Sequence, residues 1–324
     1  MKATFDAAVI ATFGRHLLVR DAASRELKAR PFGRNLQVVC GDEVRCRSDA
    51  RNGEVHVLEL LPRRNALYRS NARGGTEPLV ANLSQLLVVL APVPAPDLFV
   101  LDRYLAAAAS AGVPATLILN KIELGIDPVL LGQLRIYEVA GYRWLGCSAR
   151  SGEGMAGLLA ATAGSITALV GQSGVGKSSL IRHLVPQAQI QIGELLRDEA
   201  GRHTTTATRL FDLPQGGGLI DSPGVRDFAP AIDRLDGRSL GFVEVARLAG
   251  GCRFADCRHM REPGCALIEA VAAGTLDARR YESYRRLRRL YEDLTEARGP
   301  KAAASQARSS QSRPRPPPGR DRNR

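Results

Sequence analysis

Residues 171–178 read Gly171-Gln172-Ser173-Gly174-Val175-Gly176-Lys177-Ser178, followed by Ser179. The spacing G-x-x-x-x-G-K-[ST] is that of a phosphate loop. The three glycines allow the backbone to curl until its N–H groups converge on one point. A helix opening at Lys177 adds unpaired N–H groups and the positive end of its dipole, both of which favour anions. Lys177 is suited to reach the β- and γ-phosphates of a nucleoside triphosphate, and the Ser178 hydroxyl to ligate Mg²⁺. The apolar run Ser165–Val170 ahead of the loop reads as a buried strand, and the run to about Leu184 as a helix stopped near Pro186. That strand–loop–helix context is what the motif needs.

Four other segments carry chemistry that fits a nucleotide. Asp221-Ser222-Pro223-Gly224 follows an apolar strand at Gly218–Ile220. Such an Asp holds Mg²⁺, usually through water, and Gly224 offers its N–H to a γ-phosphate. Gly201-Arg202-His203-Thr204-Thr205-Thr206 lies between this segment and the phosphate loop. A threonine there ligates Mg²⁺ and senses the γ-phosphate, as switch segments do; all three qualify, and Thr205 is the expected ligand. The Mg²⁺ set is then Ser178, Thr205 and Asp221. Asn120-Lys121-Ile122-Glu123 follows a strand ending at Leu119 and resembles the guanine reader N-K-x-D. The Lys121 stem packs on the base, and the carboxylate accepts the N1–H and N2–H₂ pair that adenine lacks. Glu123 stands where Asp is usual, roughly 1.5 Å further out, about one C–C bond. A lost bidentate base contact costs about 1–3 kcal/mol of selectivity. Cys147-Ser148-Ala149 resembles the loop whose backbone meets guanine O6.

Ordinary GTPases run phosphate loop, threonine switch, D-x-x-G, base reader, S-A. Here the last two come first, so the chain reads as a circularly permuted GTPase. The permutation joins the D-x-x-G switch directly to the C-terminal region. That region contains Cys252-x₄-Cys257-x-His259-x₅-Cys265. Three thiolates and an imidazole suit a closed, tetrahedral, structural zinc site. Cys40, Cys46 and Cys147 read as ordinary small core residues.

The elements that must position these groups fall into a multidomain α/β order. Residues 1–66 read as all-β, with strands at Ala8–Phe13, Leu17–Arg20, Val38–Cys40, Val44–Arg47 and Val55–Leu61. Five short strands suggest an OB-fold barrel, a fold that commonly binds RNA. Residues 67–231 alternate strands with helices, as in a parallel sheet. Asp97 caps one helix, and Asp127-Pro128 opens another that ends before Gly141. Residues 232–299 are mostly helical; the last helix, about Ala278–Arg298, sets Tyr284, Leu287, Tyr291 and Leu294 on one stripe. Arg279, Arg280, Arg285, Arg286, Arg288 and Arg289 lie mostly off it, and read equally as a solvated face or an RNA-facing one. Residues 300–324 form a Pro/Ser/Arg-rich tail, expected to be disordered, that holds +6 of the net charge of +12.

Barrel, permuted GTPase and Cys₃His segment together resemble the small-ribosomal-subunit-dependent GTPases, the RsgA (YjeQ) family, over roughly residues 5–295. Asp102-Arg103-Tyr104, Gly201–Thr206 and Glu262-Pro263-Gly264-Cys265 share in that resemblance. It implies GTP hydrolysis to GDP, stimulated by the 30S subunit and its 16S rRNA, in late subunit maturation. Val225 sits after Gly224, where many GTPases carry a water-positioning Gln, and an apolar side chain cannot orient water. By position and by resemblance, His203 is the candidate for that task, with Lys177 and Thr205 completing the catalytic set. The alternative is a nucleotide-gated rRNA-binding module with negligible turnover; an ATP-dependent kinase is disfavoured by the base-reading motifs. Asp6 interrupts Met1–Phe13 where a secretory signal needs an apolar core. A cytoplasmic monomer with no membrane partner is expected.

Overall fold

A computed structural model describes the chain apart from residues 1–3, 34–35, 50–53, 72–74, 187–206, 222, 227 and 310–324, and the side chains of Pro223 and of 297–309. His203 and Thr205 lie outside the described residues.

Strands β1 (Thr4–Phe13), β2 (His16–Asp21), β3 (Glu26–Pro31), β4 (Glu43–Ser48) and β5 (Val55–Leu60) form the N-terminal barrel. Their order is β1-β2-β3-β5-β4, and β4 returns to pair with β1, which closes the barrel. The β3–β5 pair is parallel and the rest antiparallel. This is the OB-fold order. Val9, Val19, Ala29, Val44, Cys46 and Val57 fill its interior. One expected strand is corrected. Val38–Cys40 is a turn, because the Asp42 carboxylate takes the Val39 N–H at 2.8 Å and the Val39 carbonyl accepts from Asp42 N–H. The third strand is Glu26–Pro31 instead, whose charged residues face out while Leu27 and Ala29 face in.

Beyond the barrel, β6 (Ala66–Ser70) and β7 (Thr76–Ala81) make a separate hairpin. Then come β8 (Gln85–Leu90), β9 (Ala115–Leu119), β10 (Arg143–Gly146), β11 (Ser165–Gly171), β12 (Thr208–Asp212) and β13 (Gly217–Asp221). Strands β10-β9-β8-β11-β13 are parallel and β12 is antiparallel to β13. Residues 86–90 are buried on both faces, as a central parallel strand requires. Each such aliphatic side chain contributes about 1.5–3 kcal/mol on burial. Helices α1 (Leu98–Ser110), α2 (Pro128–Ala140), α3 (Met155–Thr162) and α4 (Lys177–Leu184) cover the sheet. The expected caps are in place: Asp97 accepts from the Phe99 and Val100 N–H groups, Asp127 from Leu130 N–H, and Gly141 ends α2 at φ 105°.

The barrel and the parallel sheet are one hydrogen-bonded surface. Strand β1 pairs with β12, Ala11 against Arg209 and Thr12 against Thr208. Arg20 binds Asp212 across the seam at 2.7 and 2.9 Å. Behind it, Gly41 lies against β7 at φ +91°, so close that a Cβ would sit 2.1 Å from the Ala81 carbonyl. Only glycine fits there.

The C-terminal region is helical, with helices Val243–Leu248, Ala266–Ala272 and Ala278–Ser309. Tyr284 and Leu287 of the expected stripe are fully buried, and Tyr291 and Leu294 pack beside them. Ala106 and Ala107 of α1 belong to the same core. The last helix continues to Ser309, past the boundary expected at 299, because Lys301-Ala-Ala-Ala-Ser-Gln-Ala307 favours helix. No described helix is long and apolar enough to cross a membrane.

Neither reading of the arginine row holds for two of its members. Arg280 and Arg288 are buried. Arg280 forks onto Glu244 at 2.6 and 2.9 Å and reaches Asp102 of α1 at 2.5 Å. Arg279 takes the other Asp102 oxygen at 2.8 Å, and Tyr137 of α2 donates to Asp102 at 2.6 Å. The Arg280 guanidinium lies 4.6 Å from the Phe242 ring centre. Burial alone would disfavour its charge; Asp102 and Glu244 more than reverse that and raise its pKa. Arg280→Ala strands the buried Glu244 carboxylate and leaves Asp102 to Arg279 and Tyr137. We expect it to cost about 3–5 kcal/mol in urea unfolding; a loss below about 1 kcal/mol would contradict this role.

Candidate functional site: a nucleotide pocket and a Cys₃His cluster

The phosphate loop connects β11 to α4 at the carboxyl edge of the sheet, where parallel sheets bind ligands. Gly176 caps α4 at φ 95°. Its neighbour is the Asn120 side chain, whose Nδ2 would lie 2.3 Å from a Cβ at this position. Asn120 is buried. Its Nδ2 donates to the Val175 carbonyl at 2.8 Å, and its Oδ1 accepts the Ala149 N–H at 3.1 Å. One amide therefore ties together the base-reading segment, the phosphate loop and the Ser148-Ala149 turn. Lys121, at φ 63°, sends its ammonium to the Gly174 and Val93 carbonyls at 2.6 and 2.8 Å. Its stem thus lies across the loop. Gln172 accepts the Asp97 N–H at 3.0 Å, which joins the loop to the start of α1.

Ser148 organises its own turn. Its hydroxyl accepts the Arg150 and Ser151 N–H groups at 3.2 and 2.9 Å, and its N–H donates to Glu153. The same hydroxyl holds the Glu123 carboxyl below its usual range. Glu123 itself is exposed at the pocket rim and ionised. Both N–H groups of Ser148 and Ala149 are engaged within the protein, so the turn serves first as scaffold for Asn120 and Glu123.

Lys177 is buried and donates to the Gly171 and Gln172 carbonyls, each at 2.7 Å, within its own loop. Ser173 and Ser178 are exposed, while Ser179 starts the helix ladder with its N–H on the Gly176 carbonyl. Gly224 lies in the short helix Pro223–Arg226 after β13. Val225, the residue at the usual glutamine position, is fully buried in the core.

No motif pointed to Arg226. Its guanidinium forks onto Asp221 at 2.7 and 2.5 Å and donates to the Ser178 hydroxyl at 2.8 Å. Two of the three expected Mg²⁺ ligands thus converge on a single cationic group. That convergence, and an all-oxygen donor set, fit a hard divalent cation. Thr205, the third, lies outside the described residues.

The second centre is Cys252, Cys257, His259 and Cys265, whose ligand atoms all lie within 4.8 Å of one another. A tetrahedral zinc with bonds of about 2.3 Å separates its sulfurs by about 3.8 Å, so the cluster fits that geometry. Nδ1 of His259 faces the thiols, 3.3 Å from Cys252 and 3.6 Å from Cys265. Burial holds the imidazole neutral by lowering its pKa, and pushes the Cys257 thiol up to about 12. A cation is what would ionise such thiols. Glu262 fastens the loop. Burial alone would raise its pKa, but N–H donors from Arg261, Met260 and Arg258 take it down to about 2. Tyr281 of the last helix donates to the His259 carbonyl at 2.8 Å.

The RsgA GTPase family model matches residues 60–230. This chain belongs to that family. The small ribosomal subunit biogenesis GTPase RsgA of Azotobacter vinelandii is 42% identical over 292 residues, covering 86% of this chain and 83% of that relative. The protein of the same name from Haemophilus influenzae is 41% identical over 270 residues, covering 81% and 77%. Among solved structures, YjeQ from Thermotoga maritima superposes with a TM-score of 0.69 at 25% identity, covering 89% of this chain and 99% of that one. YloQ, described as a circularly permuted GTPase, gives 0.67 at 23% identity, covering 90% and 96%, and shares the fold. The permuted order read from the motifs agrees with that description.

Asn120→Ala removes two hydrogen bonds and leaves the Val175 carbonyl and Ala149 N–H unpaired. At about 0.5–1.5 kcal/mol each, GDP affinity should fall about 5- to 150-fold by fluorescent-nucleotide titration. Unchanged affinity would show that the amide does not hold the pocket together.

Proposed function

We propose that this protein is a GTP hydrolase of late 30S maturation that works as a cytoplasmic monomer and is switched on by the subunit. The observation that carries the reading is the Asn120 bridge, which sets a guanine reader beside a phosphate cradle. Family membership and the names of its relatives support the ribosomal role. Asn120, Lys121 and Glu123 take the base. Backbone N–H groups of 171–179 and Lys177 take the phosphates. Ser178, Thr205 and Asp221 would hold Mg²⁺, and that ion would supply neutralisation of the charge developing on the phosphoryl oxygens.

Buried Val225 gives no side chain to aim water, so turnover by the protein alone is slow. We infer that rRNA acts on residues 201–206 and brings His203 to the nucleophilic water as its base. The barrel offers a place for that RNA. Phe32 is 59% exposed, with Arg47 5.5 Å above its ring and His56 packed edge-on. An exposed aromatic ring beside an arginine suits an unstacked base. The second reading, a nucleotide-gated rRNA-binding module, draws on the same buried Val225. The Cys₃His cluster holds one structural Zn²⁺.

Phosphate release from GTP, alone and with purified 30S subunits, decides between these readings. We expect strong stimulation, lost in His203→Ala at unchanged GDP affinity; equal, negligible rates with and without subunits favour the binding module. GDP should outcompete ADP, and equal affinities would refute a guanine preference. Elemental analysis should find about one zinc per chain, and its chelation should lower the melting temperature; a metal-free protein of undiminished stability would refute the structural zinc.

A further inference from the structure

We propose that Arg226 is a built-in counter-ion of the magnesium site, which must leave when metal and nucleotide bind. The inference rests on the nucleotide reading and adds a residue that the motifs do not assign. Asp221 is 2% exposed, and a buried carboxylate without a cation is costly. Arg226 supplies that cation with both arms of its fork, 2.7 and 2.5 Å from the two Asp221 oxygens. Its remaining nitrogen sits 2.8 Å from the Ser178 hydroxyl. These are the oxygens on which a divalent cation would rely. Guanidinium and metal cannot both occupy the space between Ser178 and Asp221, so the two compete.

The arginine is well placed to report the outcome. It ends the short helix Pro223–Arg226, whose Val225 is locked in the core. Two residues on, Phe228 packs on Tyr104 of α1 at 5.4 Å. Ala231 then donates to the Tyr68 carbonyl, and Ile232 enters the C-terminal core. Arg226 therefore stands at the head of the segment leading into the C-terminal region.

The test is GDP binding by the full-length protein, measured with a fluorescent GDP in EDTA and across a Mg²⁺ titration, for wild type, Arg226→Ala and Arg226→Lys. In EDTA, Arg226→Ala leaves Asp221 uncompensated beside the phosphates, and affinity falls. With saturating Mg²⁺ the competitor is gone and affinity is restored. The gain in affinity from Mg²⁺ should thus rise about 10-fold or more, the worth of one charge-assisted hydrogen bond. Half-saturation should move to lower Mg²⁺, with Arg226→Lys intermediate because an ammonium cannot span both groups. A variant that weakens both affinities equally, leaving the Mg²⁺ gain unchanged, would overturn the proposal and leave Arg226 a structural residue. Failure of the wild type to bind GDP at all would instead overturn the nucleotide reading, and this inference with it.

Discussion

The nucleotide pocket depends on one buried amide. Asn120 reaches 55 residues along the chain to Val175 and 29 to Ala149, and holds three loops at one point. The parallel sheet makes this meeting possible. Strands β8, β9 and β11 lie side by side with their carboxyl ends together, so loops distant in sequence become neighbours. The order in which the strands are threaded does not enter that geometry. A permuted chain therefore builds the same pocket while placing its termini elsewhere. Gly176 is the matching half of the contact, since any side chain there would displace the amide.

Helix α1 carries the site outward. Its cap residue Asp97 donates its N–H to Gln172 of the phosphate loop. One turn on, Asp102 accepts Tyr137, Arg279 and Arg280. Further along, Ala106 and Ala107 lie in the C-terminal core. A single rigid element thus touches both the phosphate cradle and the helical region that carries the Cys₃His cluster. The barrel is joined at the β12 edge of the sheet, through β1. Strand β12 comes directly after residues 201–206, so the segment bearing His203 leads straight into the strand that pairs with the barrel.

Chemistry set by side-chain type at fixed spacing was legible in the sequence. Residues 120–123 and 171–178 meet, and Cys252, Cys257, His259 and Cys265 cluster. Elements with strong local signals, such as α2 between Pro128 and Gly141, were legible too. What escaped was decided by pairing and side-chain contacts that residue type and spacing do not reveal. Strand β3 is charged on alternate residues and carries little β-propensity; pairing with β2 on one side and β5 on the other makes it a strand. Val38–Cys40 looked stronger but yields to a side-chain-capped turn at Asp42. Arg280 and Arg288 sit in a run of arginines that composition marks as surface. Their partners, Glu244 and Asp102 for one and the Gly237 and Arg238 carbonyls for the other, come from elsewhere in the chain. Arg226 escaped for the same reason: its spacing from Asp221 says nothing of Ser178, 48 residues earlier.

A crystal structure of the protein with GDP and Mg²⁺ tests the assembly of the pocket most directly. The guanine ring should lie on the Lys121 stem with the Glu123 carboxylate along its N1–N2 edge and the β-phosphate inside the 171–178 loop. A base turned away from residues 120–123 while the phosphates sit in the loop would contradict it.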